Sequence, residues 1–212
     1  MIIHPKARLL LPLVAALALS ACMAPFEARV ARFQQLPPPS GTSFVIEPRD
    51  KTNEGGLEFA TYANLVRQKL VTAGFQEAAN AESAALTVQL DYHVSAPREK
   101  VQSRLGMGWG GMGGGFGGLG GFGGWGGGWN NEVYSVTNYN TVVAMRINRN
   151  TDKKSVFEGR AETVSNSNNL TRLVPNLVTA MFTNFPGSSG ETVRVRFDPA
   201  KPDVAPTVKP VR

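Results

Sequence analysis

The chain has 212 residues, 42% of them hydrophobic, and a formal net charge of +6. That length suffices for one domain with a hydrophobic core. The charge is mild and contains no run of Lys or Arg, so the sequence carries no electrostatic footprint of a nucleic-acid-binding protein. A single cysteine excludes an intramolecular disulfide, and with only two histidines no His/Cys metal cluster can form. We therefore expect no nucleic-acid partner, no metal and no cofactor.

The N-terminus has the pattern of a secretory signal peptide. Lys6 and Arg8 precede an apolar run over residues 9–19, which is too short to span a membrane. The run ends in LSAC at residues 19–22, a sequence that closely resembles the lipobox of bacterial lipoproteins. This resemblance implies cleavage before Cys22, a diacylglycerol on its sulfur and a third acyl chain on the freed amine.

Acylation of Cys22 predicts a tethered protein. Two or more acyl chains anchor a protein stably, because each buried methylene contributes about 0.8 kcal/mol. We expect residues 1–21 to be removed, which lowers the formal charge from +6 to +4 through the loss of Lys6 and Arg8. By resemblance to the sorting rule of Gram-negative lipoproteins, Met23 after the cysteine favours the outer membrane, with the chain facing the periplasm.

The elements before the glycine-rich segment can be taken in chain order. Residues 22–42 are predicted to be the anchor and a Pro-rich linker, in which EARVARFQ has the pattern of a short strand and LPPPSGT breaks it. A strand over Ser43–Pro48 opens the predicted domain. Residues 57–73 carry apolar side chains at helical spacing, and Gly74 marks the end of this helix. Residues 85–95 alternate and predict a half-buried strand.

After the glycine-rich segment, alternation predicts a β-hairpin whose turn is NRNTDKK. Helical spacing over residues 169–185 predicts a second helix with Asn168 or Asn169 as N-cap, and Pro175 is tolerated only if it lies in the first turn. The last predicted strand covers residues 191–197. Four prolines follow, and they predict a disordered tail over residues 198–212.

This element order predicts an α+β fold with a mainly antiparallel sheet and two helices packed on one face. The predicted order is β-α-β-(Gly-rich loop)-β-β-α-β. The elements are predicted to form a single domain over residues 43–197, interrupted by a Gly/aromatic loop insertion at residues 106–129.

Several motifs, in this order, resemble one group of bacterial proteins. They are the lipobox, the run YANLVRQKLVTAGFQEAANAESAALTVQLDYHV, the strand VFEGRAET and the NFPG that follows the second helix. Together they resemble the bacterial envelope lipoproteins built on domain of unknown function 4136, over residues 43–197. The strand lacks the family's tryptophan, and Glu82-Ser83 stands where an Ala-Asp pair is expected. That family has no established activity, so the resemblance implies no catalytic residues.

No motif of the chain indicates catalysis. Residues 106–111 fit the dinucleotide pattern GxGxxG, but so glycine-rich a segment matches it by composition and lacks an acid or a following Lys-Ser/Thr. His93 lies on a predicted strand and has no GxSxG elbow nearby. Asp91, Glu158 and Glu162 also lie on strands, where carboxylates usually form the solvated face. We expect no enzyme and no catalytic residue.

The glycine-rich segment is the strongest functional signal. Between Gly106 and Gly128, 16 of 23 residues are glycine and the other seven are apolar. Three interpretations stay open: a tolerated low-complexity loop, a contact surface for a membrane interface or an apolar partner, and self-association through an apolar ridge with a period of three. The predicted contact residues are Trp109, Met112, Phe116, Leu119, Phe122, Trp125 and Trp129.

Taken together, these features predict an outer-membrane-anchored periplasmic lipoprotein that acts as a non-enzymatic binding or structural accessory of the cell envelope. The alternative is a lipid- or small-molecule-carrying accessory of an envelope transport system, with the ligand between helices and sheet. A large apolar pocket under the helices would favour the carrier, whereas a solid core with a projecting loop would favour the binding module. The sequence makes no prediction of the oligomeric state.

Overall fold

The computed structural model describes residues 24–104 and 132–211 of the chain. Its elements, in chain order, are β1 (Phe26–Gln34), β2 (Ser43–Pro48), α1 (Leu57–Thr72), β3 (Gln76–Glu77), β4 (Leu86–Val94), β5 (Arg98–Arg104), β6 (Glu132–Arg149), β7 (Ser155–Ser165), α2 (Leu170–Phe182), β8 (Glu191–Phe197) and β9 (Thr207–Pro210), with a short 3₁₀ helix at Lys51–Asn53.

The strands form one mixed, mainly antiparallel sheet. Their order across the sheet is β3-β2-β4-β6-β7-β1-β8-β9. β5 lies outside this row and pairs with β6. Only the β2–β3 and β2–β4 pairs are parallel among the described strands. The two helices cover one face of the sheet, so the predicted α+β class is confirmed.

Both helices begin and end where local chemistry requires it. At the end of α1, Ala73 is the C-cap and Gly74 adopts a φ of +97°, which glycine reaches without strain. At the start of α2, the side chain of Asn169 accepts a hydrogen bond from the Arg172 backbone N–H, as expected of an N-cap. The cap predictions at Gly74 and Asn169 are confirmed.

The core lies between the helices and the inward-facing residues of the central strands. Buried side chains of α1 (Tyr62, Val66 and Leu70) and of α2 (Leu177, Val178 and Met181) meet Val88, Leu90, Val143, Met145 and Phe157 of the sheet. Residues along each strand alternate between this core and solvent, because successive side chains point to opposite sides of a sheet. The helix-facing layer is therefore mainly apolar.

The sheet extends beyond the predicted domain at both ends. Residues 26–34 were expected to belong to a linker, but they form β1 in the middle of the sheet, between β7 and β8. Residues 207–210 were expected to lie in a disordered tail, but they form β9 and pair with β8. β1 alternates in burial, as expected of a strand. β9 lies beside prolines, but its backbone pairing with β8 outweighs the local proline content.

Pro175 differs from its predicted place, because it lies in the second turn of α2. There a proline removes the N–H that would bond to the carbonyl of Thr171. The apolar residues on either side of it, Val174 and Leu177, are fully buried against the sheet. This burial offsets the lost hydrogen bond and lets the helix continue.

Candidate functional site

The most distinctive surface feature is a two-stranded arm that leaves the sheet. Residues Arg98–Arg104 of β5 pair in antiparallel register with residues 132–138 of β6, from Arg98↔Asn138 to Arg104↔Glu132. The pairing of β6 with β7 begins only at Tyr139↔Ser165. The arm therefore extends past the end of β7 as a hairpin, and the glycine-rich residues 105–131 connect its two strands.

The start of β1 lies at the same end of the sheet as the arm. Arg29 pairs with Glu162, so Phe26, three residues before Arg29, is level with Ser165, three residues after Glu162. Ser165 in turn pairs with Tyr139, where the arm begins. Two contacts fasten this end: the Phe26 and Phe197 rings lie 5.4 Å apart, and Thr163 Oγ1 donates to the Glu27 carbonyl at 2.7 Å.

The lengths of the two segments at this end differ. Four residues separate Cys22 from Phe26 in the sequence, and a fully extended chain of that length spans at most about 14 Å. The arm has seven paired positions, which correspond to about 24 Å of antiparallel strand. The arm is therefore longer than the tether that would join β1 to an acylated Cys22.

The predicted site residues themselves lie outside the described part of the chain. This holds for Cys22 and for the predicted contact residues Trp109, Met112, Phe116, Leu119, Phe122, Trp125 and Trp129. What the structure provides is the position of the flanking residues: β1 begins four residues after Cys22, and the contact residues fall between Arg104 and Glu132. The described residues that flank the two predicted sites, Phe26 on one side and the arm on the other, lie at one end of the sheet.

The carboxylates and the imidazole singled out in the sequence lie on the open face of the sheet, opposite the helices. His93 Nδ1 lies 3.7 Å from Asp91 Oδ2, and the His93 side chain is 52% exposed. Glu158 pairs with Arg146 at 3.1 Å, and Glu162 pairs with Arg160 at 3.2 Å. In residues 24–104 and 132–211, no three His, Cys, Asp or Glu side chains form a metal-binding group.

The buried Tyr62, the half-buried Tyr92 and the exposed Glu58 form a contact near the arm. Tyr62 of α1 meets Tyr92 of β4 edge-to-face, with ring centroids 4.8 Å apart. The Tyr62 hydroxyl donates to Glu58 Oε1 at 3.0 Å. Burial raises the pKa of the Tyr62 hydroxyl, and the hydrogen bond to Glu58 raises it further. The phenol is therefore held protonated as a donor rather than activated as a base.

Space for a ligand is found outside the core rather than under the helices. The helix–sheet interface is filled by the buried cluster that includes Tyr62, Leu70, Leu177 and Met181. A surface cleft of about 710 Å³ lies along the helices and is closed on one side by the segment after β8. Its lining combines apolar and polar side chains, among them Phe182, Phe197, Val204, Asn176 and Lys69.

Neither helix in the described residues is long and apolar enough to cross a membrane. The described part of the chain is thus a two-layer α+β domain with one solvated sheet face and a projecting arm. The chain belongs to the family described as a domain of unknown function, DUF4136, whose model matches residues 31–187. That match confirms the resemblance to this domain.

The solved structures similar to this chain are distant. A PDZ domain protein from Parabacteroides distasonis has 15% identity and a TM-score of 0.45; the alignment covers 87% of this chain and 42% of that protein. A PelC dodecamer from Paraburkholderia phytofirmans has 12% identity and a TM-score of 0.38, covering 72% and 94%. A point variant of PelC from the same organism, also a dodecamer, has 11% identity and a TM-score of 0.37, covering 72% and 92%. No curated protein matches the chain.

Proposed function

We propose that the chain is an outer-membrane-anchored periplasmic lipoprotein, a non-enzymatic binding or structural accessory of the cell envelope whose arm makes its contact on the membrane side. One observation carries this proposal: the start of β1, four residues after Cys22, and the root of the arm lie at the same end of the sheet. The arm would therefore be directed toward the same membrane as the acylated Cys22.

The short tether supports a contact between the arm and the membrane. A domain held through Cys22 keeps Phe26 within about 14 Å of the acylated residue. An arm of about 24 Å is longer than this tether and brings residues 105–131 to the level of the lipid. The apolar residues of this segment include Trp and Phe, which are favoured at a membrane interface.

Tryptophan fluorescence tests the contact, because Trp109, Trp125 and Trp129 are the only tryptophans. The lipidated chain is reconstituted into vesicles that contain lipids brominated on their acyl chains, which quench by close approach. We expect strong quenching, with emission shifted to the blue on reconstitution. Unquenched emission from a chain that floats with the vesicles would contradict membrane contact and would favour a protein partner for the arm.

A matched control places the fluorophore at the other end of β1. Phe33 is 60% exposed there, and in a chain whose three native tryptophans are replaced by phenylalanine, Phe33→Trp provides a single reporter. Phe33 lies seven residues beyond Phe26 along an extended strand, so about 24 Å separates it from the anchored end. Its emission is expected to stay unquenched by brominated lipid.

The second candidate, a carrier of a lipid or small molecule, is supported by the cleft along the helices. Its volume of about 710 Å³ lies in the range of small-molecule sites. The filled helix–sheet interface counts against the buried site that the carrier was expected to have. Mass spectrometry of the natively purified chain discriminates the two: a stoichiometric lipid that is lost on Val204→Trp, which fills the cleft, would support the carrier.

A further inference from the structure

The open face of the sheet carries a row of cations across three neighbouring strands. Arg29 of β1 pairs in register with Arg194 of β8, and Arg194 pairs with Lys209 of β9. Arg196 lies two residues along β8 on the same face, and Arg160 of β7 completes the group. We call these five residues the basic corner.

The two acids on this part of the face only partly neutralise the basic corner. Glu27 Oε1 lies 3.3 Å from Arg194 Nε, and Glu162 Oε1 lies 3.9 Å from Arg29 Nη1. Five cations and two carboxylates leave a surplus of three positive charges. Among the described residues, no carboxylate lies within 4.0 Å of the Lys209 ammonium. The other ion pairs of the open face, such as Arg146–Glu158, are balanced.

Placing these cations side by side destabilises the sheet unless an anion neutralises them. Like charges directly opposite each other on neighbouring strands destabilise a sheet, and the register sets Arg29, Arg194 and Lys209 side by side. Beside Arg194 and Lys209 the surface is concave: a cavity of about 420 Å³ is lined by these two residues together with Glu27, Arg196 and Thr207. Arginine and lysine donors around such a hollow fit a phosphate group.

The basic corner also lies near the anchored end of the sheet. Glu27 and Arg196 are a cross-strand pair next to Phe26↔Phe197, the first pair of β1. Arg29 follows Cys22 by seven residues, at most about 24 Å of extended chain. The turn that carries Lys153 and Lys154 lies beyond the opposite end of β7, whose first residue is Ser155. The surplus charge is thus on the half of the open face nearer the anchor.

We propose that the basic corner binds the phosphate groups of anionic lipids in the bilayer that anchors the chain, so that the domain leans on the membrane through this edge of its open face. The inference rests on the proposed anchoring through Cys22 and adds the headgroup chemistry of the surface. Each cation near an anionic membrane changes partitioning about fivefold, and salt weakens the attraction because the Debye length falls from about 10 Å at 0.1 M to about 3 Å at 1 M.

A single label tests the contact, because Cys22 is the only cysteine and is blocked when acylated. The lipidated chain carrying Thr207→Cys is labelled with a fluorophore and reconstituted into vesicles of phosphatidylcholine, with or without phosphatidylglycerol. Both vesicles contain a headgroup-labelled quencher lipid. We expect at least twofold stronger quenching with phosphatidylglycerol, and loss of the difference at high salt.

The control variant carries the same charge change elsewhere. Arg194→Glu with Lys209→Glu is expected to abolish the phosphatidylglycerol effect, whereas Lys153→Glu with Lys154→Glu is expected to keep it. Far-ultraviolet circular dichroism verifies that both variants fold. Equal quenching on the two vesicles by a folded chain that floats with them would overturn the lipid contact and leave the anchoring intact. A chain that fails to float, or that takes up a second label at Cys22, would overturn the anchoring and the lipid contact together.

Discussion

Arg32 Nη1 donates to Glu191 Oε1 at 2.8 Å, which joins the inner face of β1 to the start of β8. Arg32 Nη2 donates to the backbone carbonyls at the end of α2, at 2.9 Å to Met181 and 2.7 Å to Thr183. A cation at a helix C-terminus is favoured by the helix dipole. One side chain therefore joins α2 to β1, and burial lowers the pKa of its guanidinium while Glu191 opposes this.

Replacing this guanidinium tests how much the contact contributes. Arg32→Met removes the cation while Glu191 and the α2 carbonyls stay, and we expect the free energy of unfolding to fall by about 3 kcal/mol, since breaking a buried charge pair leaves its partners unsatisfied. Urea unfolding followed by circular dichroism measures it. Arg194→Met on the open face, 58% exposed, is the control and should change stability by less than about 1 kcal/mol. Equal losses in the two variants would contradict a structural role for Arg32.

Gly159 is required by a close approach inside the core. A Cβ at this position would lie 2.6 Å from Phe157 Cε1 and 3.4 Å from Met181 Sδ. Because Phe157 is itself fully buried, its ring has little room to move. Gly159→Ala should lower the free energy of unfolding by about 1–3 kcal/mol, the usual range for an overpacked core. In the double variant with Phe157→Leu, part of that loss should be recovered; strictly additive losses would count against the clash.

The raised pKa of Tyr62 predicts a loss of stability at alkaline pH. Burial raises this pKa above the value near 10 of a tyrosine in the unfolded chain. The folded state therefore holds the phenolic proton more tightly, and this stability is fully present below about pH 10 and is lost as the pH rises through the folded pKa. Urea unfolding above about pH 10 should show a steeper decline for the native chain than for Tyr62→Phe. Parallel declines would contradict the prediction.

Cys22→Ser tests the anchor directly. The sulfur of Cys22 is the expected site of the first lipid attachment, so the variant should lose incorporation of radioactive palmitate in cells and should accumulate as an unprocessed or soluble species. Fractionation of the envelope measures the second effect. Palmitate incorporation equal to that of the native chain would contradict the lipoprotein prediction.

Deleting Gly106–Gly128 should leave the domain folded. The deletion leaves Leu105, Trp129, Asn130 and Asn131 between the two strands of the arm, and loops of four residues are common in β-hairpins. We expect the free energy of unfolding to change by less than about 2 kcal/mol, because the deleted residues supply no periodic core positions. A larger loss would place the segment in the core.

The sequence predicted those parts of the fold in which local patterns and tertiary packing agree. The helical spacing of Tyr62, Val66 and Leu70 predicted the buried face of α1, and all three are buried. The alternation in residues 85–95 and 155–165 predicted two central strands, β4 and β7. In these segments each apolar residue has the period that its element requires.

The parts that the sequence missed depend on partners far along the chain. β9 pairs through backbone groups beside prolines, and no side-chain period announces it. β1 was expected to be at most a strand within a linker, although Arg32 stands in phase with Ala28 and Val30. A charged residue in phase with two apolar ones indicates a buried charge with a distant partner. Glu191, 159 residues away, is that partner.

The candidate site shows the same difference between local sequence patterns and contacts that are distant along the chain. Its proposed chemistry rests on the lipobox-like LSAC and on the Gly/aromatic composition, which are local in the sequence. Its geometry is not local, since the common end of β1 and the arm follows from the register of β6, β7 and β1. The row formed by Arg29, Arg194 and Lys209 likewise exists only after three strands have paired.

The central place of β1 also fixes an order of events during folding. In the proposed export, which starts at the N-terminus, this strand would be delivered first, yet β1 is flanked by β7 and β8, whose residues follow far later. Contacts so distant in sequence form late, because the entropy of closing a long loop must be met before they give any stabilisation. β1 therefore lacks at least one of its two neighbours until residues 191–197 have emerged. During that interval Cys22 precedes a strand that lacks its partners, which is the accessible state that the proposed acylation would require.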